Sequence, residues 1–289
     1  VTISFSTSVD VPYRRNPLAI GLSLPDIASG PIPVVLFSHG AGLTGEDYGP
    51  LADALTGGGF AVIRPTHPSV AEPLSDLPAW RGRAMDLRAL IDGFETLERA
   101  LPGADIRFDR NRIFVVGHSY GGHTAQLLLG ARVNGMVGVD AADVSDPRVK
   151  AGVLLAAPGA GGADNLTPEW LARAPYLDLD WSAMHRPALV VAGGNDLLVM
   201  SAHDWTWRTD SYRSSPGGNK SLLVLTDADH YLGGIVPGRG AADPAALRIT
   251  LDAITAYLRH AAFPGDPAWP ILADRLRAGG ENQSRLEQR

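Results

Sequence analysis

Cysteine is absent from the 289 residues. Its absence excludes a thiolate nucleophile, a zinc–thiolate site and any disulfide. It leaves the compartment open, because cytosolic and secreted proteins alike can do without cysteine. Lysine is nearly absent too: apart from Lys150 and Lys220 the fixed cations are all arginine. With Lys+Arg at 25 against Asp+Glu at 31, the formal net charge is −6. No basic stripe is present, so nucleic acid is not an expected partner. No apolar run approaches the roughly 20 residues of a membrane helix. No signal-peptide pattern opens the chain. It begins at Val1 rather than Met, which is compatible with a removed leader and leaves localisation open between cytoplasmic and secreted. The phosphate-binding and dinucleotide glycine fingerprints are missing. No His/Asp/Glu cluster has metal-ligand spacing, so neither a cofactor nor a metal is expected.

What is present is a large apolar fraction, 45%. A chain of this length buries roughly 75% of the surface that its unfolded form exposes. Apolar runs alternate with helical patterns, the signature of an α/β sheet. Residues 1–9 and 18–24 alternate with period two and read as partly exposed, antiparallel strands. Residues 34–37, 60–63, 113–116, 149–156, 188–191 and 221–225 are short continuous apolar runs, as expected of strands covered on both faces. Helical patterns fall at 48–55, 80–101, 119–130 and 244–258, the second ended by Pro102-Gly103. The polar tail after Ala278 reads as frayed. The expected architecture is one α/β domain over residues 1–289, a mostly parallel sheet of about eight strands with helices on both faces. Two long connections, 158–186 and 197–218, read as lid or cap insertions.

The run at 113–116 leads directly into Gly117-His118-Ser119-Tyr120-Gly121-Gly122, a G-x-S-x-G motif between a strand and a helix. The motif alone is weak, and its context carries the weight. A turn this tight leaves no room for a Cβ beside the serine, hence the glycines. It holds the Ser119 hydroxyl above the sheet, in front of a helix N-terminus. A glycine-rich turn that only packs, or that binds phosphate, is the bland alternative.

A serine hydroxyl needs a base. Of the eight histidines, His230 follows the last apolar strand in a loop that ends in Gly233-Gly234. That loop reaches the same sheet edge as Ser119. His203 is the rival, and His118 adjoins Ser119 with its side chain expected to point elsewhere. The base needs an acid to fix its tautomer. Asp196 follows Gly193-Gly194-Asn195 after the 188–191 strand and fills that position. Asp140 and Asp180 are weaker rivals, whereas Asp227 and Asp229 read as loop-structuring residues.

An oxyanion requires preorganised donors. The backbone amides of Tyr120, just after the nucleophile, and of Ala41, in His39-Gly40-Ala41-Gly42, are the expected pair, with Gly42 as the alternative. Gly42, His118, Trp170, Trp181 and Trp205 are candidates for the substrate pocket. The tryptophans serve equally well as small cores of the two long connections, with Trp207 among them. Arg81 and Asp86 read as an anchoring pair on the long helix, and His67 as a polar loop residue or part of the cleft mouth.

The pieces Pro33–Gly42 (PVVLFSHGAG), Arg81–Asp92, Gly117–Gly122 (GHSYGG), Gly193–Asp196 (GGND) and Asp229-His230 together resemble a serine esterase of the α/β-hydrolase family. The pattern is most similar to a branch containing predicted dienelactone hydrolases, chlorophyllases and platelet-activating-factor acetylhydrolases. The resemblance spans about residues 20–260. It implies the α/β-hydrolase fold, a Ser-Asp-His order along the chain, and hydrolysis of a small-molecule ester. It departs from true dienelactone hydrolases, which are expected to use a cysteine nucleophile.

Overall fold

The runs read as doubly covered strands form the middle of one nine-stranded sheet. The computed structural model describes residues 3–26, 30–67, 77–101, 106–135, 143–197, 199–279 and 284–289. In spatial order the strands are β1 (Ile3–Val9), β2 (Leu18–Leu24), β4 (Ala61–Pro65), β3 (Ile32–Ser38), β5 (Phe108–His118), β7 (Val149–Leu155), β9 (Ala188–Gly193), β10 (Lys220–Leu225) and β11 (Ser284–Gln288). The six strands from β4 to β10 in that order are parallel. β1, β2 and β11 join antiparallel at the edges. A separate two-stranded pairing joins β6 (Arg132–Val133) to β8 (Leu179–Asp180).

Period-two alternation divides the side chains of the central strands between two cores. Val34, Leu36, Val115 and Val190 face one core. On that side lie α2 (Ala79–Asp92), α3 (Phe94–Ala100) and α4 (Tyr120–Leu129), packing through Leu87, Phe94 and Leu128. Val35, Phe37, Val116 and Val191 face the other. There α1 (Gly49–Gly57), α7 (Pro244–Ala262) and α8 (Ala268–Arg277) pack through Leu51, Ile249 and Leu272. Helices on both faces leave no solvated side, which is why these strands are apolar throughout. No helix among the described residues is long and apolar enough to cross a membrane.

Three expectations change. The long helix is two, α2 and α3, separated at Gly93 (φ −90°, ψ 9°). Glycine is the residue that most weakens a helix interior short of proline. The helix over 244–258 is not the last one. α8 follows, with Trp269, Leu272, Ala273 and Leu276 buried at helical spacing. The tail read as frayed includes β11, whose Ser284 and Leu286 are buried while Arg285 is exposed. It pairs with β10 from Leu225↔Ser284 to Ser221↔Gln288 and covers that edge. The 158–186 connection contains α5 (Pro168–Arg173), a 3₁₀ turn (Pro175–Leu177) and β8. The 197–218 connection contains a 3₁₀ turn (Trp205–Thr209) and α6 (Asp210–Ser214).

Strand register brings the functional loops together. Ser38 pairs with Gly117, His118 with Leu155, Leu155 with Val191, and Gly193 with Leu225. The strands therefore end level, and five loops open at one edge, where open α/β sheets bind ligands.

Candidate active site

Ser119 joins β5 to α4 with φ 54° and ψ −120°, a region that residues bearing a Cβ rarely enter. The flanking glycines make it possible. A Cβ on Gly117 would stand 2.0 Å from the Gly121 carbonyl oxygen, and one on Gly121 1.8 Å from that of Ser38. One on Gly122 would stand 2.5 Å from the Ala157 Cβ. The turn thus packs backbone against backbone on both sides. Gly121→Ala is expected to lower stability by about 1–3 kcal/mol or more, seen as a drop in melting temperature of about 2–5 °C or more. An unchanged melting curve would contradict this packing argument.

Asp196 and His230 stand on two loops that are fastened to each other by main chain. Asn195 N–H donates to the Ala228 carbonyl at 2.9 Å, and Gly194 N–H to that of Leu225 at 2.9 Å. A Cβ on Gly193 would stand 2.4 Å from the Ala228 carbonyl oxygen. Asp229 accepts from the Tyr231 and Ala241 amides at 2.8 and 2.7 Å, and so shapes the histidine loop as expected. The result is a 2.7 Å contact between His230 Nδ1 and Asp196 Oδ2. A carboxylate can only accept, so Nδ1 carries the proton and Nε2 presents a lone pair. The Asp196 side chain is 1% exposed and that of His230 25%. Among the described residues the Ser119 hydroxyl makes no hydrogen bond. Its neighbour His118 has its ring centroid 4.9 Å from that of His230.

One member of this site escapes sequence reading. Arg208, buried in the second long connection, donates from Nε to the same Asp196 Oδ2 at 3.0 Å. Burial alone would raise the Asp196 carboxyl. The His230 bond and the Arg208 charge outweigh it and hold the group below the ordinary carboxylate range. No local motif announces Arg208, because only the fold brings it to Asp196.

The other candidates lie as follows. Tyr120 opens α4, so its N–H lacks an intrahelical partner. Gly40 N–H is already bonded to the Tyr48 hydroxyl at 2.9 Å. Ala41 and Gly42 follow it in an exposed turn, Gly42 at φ 70°. His203 is bonded to Asn165 Oδ1 at 3.1 Å, and Asp180 to the Ser182 hydroxyl at 2.8 Å. Asp140 lies outside the described residues. Trp181 belongs to the main core and bonds Gln126. Trp205 packs against that core half-buried, while Trp170 and Trp207 share a small core with Leu166 and Leu177.

A buried polar cluster supports the turn before Ala41. Asp86 is anchored to Arg14 at 2.8 Å rather than to Arg81, and to His67 Nδ1 at 2.7 Å. His67 is fully buried, neither loop surface nor cleft mouth, and its Nε2 meets the Ser38 hydroxyl at 3.1 Å. Burial raises the Asp86 carboxyl to about 6 against the pull of Arg14. Arg83 donates to the His39 carbonyl and lies 4.6 Å from the Tyr120 ring centroid. Among the described residues no group of three or more His, Asp or Glu side chains could hold a metal ion.

Comparison with known proteins bears on the fold. No curated protein matches the chain in sequence. The crystal structure of a candidate dienelactone hydrolase from Klebsiella pneumoniae superposes with a TM-score of 0.59 at 17% identity, covering 89% of this chain and 98% of that one. The model of the Alpha/beta hydrolase family matches residues 35–285. With most of its length matched and its sheet, helices and loop edge in this arrangement, the chain belongs to the alpha/beta hydrolase family.

Proposed function

We propose that this hydrolase is a serine carboxylic-ester hydrolase, with Ser119 as nucleophile, His230 as base and Asp196 as the acid that orients it. The observation that carries the reading is the 2.7 Å His230–Asp196 bond, formed by a ring whose centroid lies 4.9 Å from that of His118, the residue before Ser119. In the first half-reaction His230 Nε2 takes the hydroxyl proton as Ser119 Oγ bonds to the ester carbonyl carbon. The carbonyl oxygen gains the negative charge, which the Tyr120 and Ala41 amides receive. Collapse breaks the bond to the alcohol oxygen, and the imidazolium returns its proton to that leaving group. A water molecule, deprotonated by His230, then attacks the acyl-enzyme. The resulting tetrahedral intermediate collapses with cleavage of the bond to Ser119 Oγ, which takes the proton back from the imidazolium as the acid leaves.

The substrate class is small to medium esters. The dienelactone hydrolase label of the Klebsiella protein is not carried over, because a chain without cysteine cannot supply the thiolate expected of those enzymes. The test is covalent labelling. A fluorophosphonate should give one adduct, mapped by mass spectrometry to the peptide containing Ser119. No adduct, or one on another residue, would overturn the assignment. Matched ester, amide and thioester substrates should show the ester as best. A preference for amide or thioester would keep the site and replace the activity.

A further inference from the structure

The residue before Ser119 is the strongest unassigned feature of the site. His118 is 1% exposed, and its ring is spoken for at both nitrogens. Nε2 lies 3.0 Å from the carbonyl oxygen of His230. That oxygen can only accept, so Nε2 carries the proton. Burial drives the ring's pKa down to about 3 and keeps it neutral. Nδ1 is therefore an acceptor, and the Tyr48 hydroxyl donates to it at 2.8 Å. The Tyr48 oxygen in turn accepts the Gly40 N–H at 2.9 Å. Donors and acceptors alternate without conflict from Gly40, through Tyr48 and His118, to His230. The packing around the chain is close: a Cβ at position 40 would stand 3.2 Å from both His118 Nδ1 and the Tyr48 oxygen.

The two ends of this chain matter chemically. Gly40 precedes Ala41, and the carbonyl at the far end belongs to His230 itself. The bond to Asp196 fixes the rotation of the His230 ring, and the bonds at Ala228, Asp229 and Tyr231 fasten the chain on either side of it. The His230 carbonyl between them is held by His118 Nε2. We propose that His118 is a positioning residue, tying the His230 backbone to the turn before Ala41 so that base and oxyanion donor keep one register with Ser119. This rests on the esterase reading. A displacement of about 1 Å at a reacting centre costs on the order of 100-fold in rate.

Glutamine and asparagine separate the two ring nitrogens. His118→Gln returns an N–H near the place of Nε2–H, whereas His118→Asn offers an acceptor near Nδ1 and loses the bond to His230. With a p-nitrophenyl ester, His118→Asn should lower kcat about 100-fold with KM changed less than about threefold, and His118→Gln should recover kcat to within about fivefold of the parent. Tyr48→Phe, which removes the bonds to both His118 Nδ1 and the Gly40 N–H but leaves that from His118 to His230, should fall between them. Equal losses in the Gln and Asn variants, or losses that merely track melting temperature, would overturn the proposal. A second reading needs no turnover: spectra of the ¹⁵N-histidine-labelled protein should show His118 as the neutral Nε2–H tautomer over roughly pH 5–9. The Nδ1–H tautomer would overturn it even if every variant failed to fold. Turnover retained by Ser119→Ala would instead sink the esterase reading, and the tautomer would still decide whether the tie exists.

Discussion

Ser119→Ala is expected to lower turnover of a p-nitrophenyl ester by about 10⁶-fold, the scale seen when the nucleophile of a serine hydrolase is removed. The substitution takes away one oxygen and leaves the Cβ, so the turn held by Gly117, Gly121 and Gly122 keeps its packing. Its melting curve should overlie that of the parent. The residual rate should still exceed the uncatalysed one by about 10³–10⁴, because oxyanion donors and substrate binding survive. The measurement is steady-state hydrolysis with the variant purified on fresh resin, to exclude carry-over. Turnover within about tenfold of the parent would remove Ser119 from the chemistry. It would return attention to the bland reading of a glycine-rich turn.

Asp196→Asn is the second large effect, a fall in kcat of about 10⁴-fold. The geometry is unusual in that one oxygen, Oδ2, accepts from both His230 Nδ1 and Arg208 Nε. An asparagine placing its NH2 there would confront two donors and force His230 into the tautomer whose Nε2 cannot act as a base. Placing its oxygen there would keep the tautomer, but would bury the NH2 where Oδ1 now lies without a partner. Either way the negative charge opposite the forming imidazolium is gone. The substitution also leaves the buried Arg208 guanidinium uncompensated, a loss that in buried pairs amounts to about 3–5 kcal/mol. Melting should therefore fall together with kcat, unlike the Ser119 case. A loss in kcat of less than about tenfold would mean that another carboxylate orients the ring.

Much of this is legible in the sequence. The doubly covered strands were readable because burial on both faces leaves runs such as 34–37 and 113–116 no polar positions. The serine turn was readable because its constraint is steric and local, and only glycine satisfies it. Asp196 and His230 could be approached because each stands directly after an apolar run, and level strand ends gather such loops. What could not be read depends on contacts between distant parts of the chain. Arg208 reaches Asp196 from within a connection that has no motif. Tyr48 reads as the start of an amphipathic helix, and only the fold places its hydroxyl between Gly40 and His118. His67 looks like a loop residue until β4, α2 and β3 close around it. The split at Gly93 and the strand β11 escape the sequence for a different reason. A single glycine is compatible with a helix, and a polar edge strand of five residues has too few apolar positions to stand out.

The guanidinium behind Asp196 has a consequence for how the enzyme meets acid. A carboxyl held below its unfolded value contributes stability that is complete above that value and is lost only as pH falls through the lower, folded one. From neutrality down to about pH 5 this carboxylate therefore stays charged and its contribution to stability is retained. Activity that fades in that interval should return in full on neutralisation, as a brake released rather than a part rebuilt.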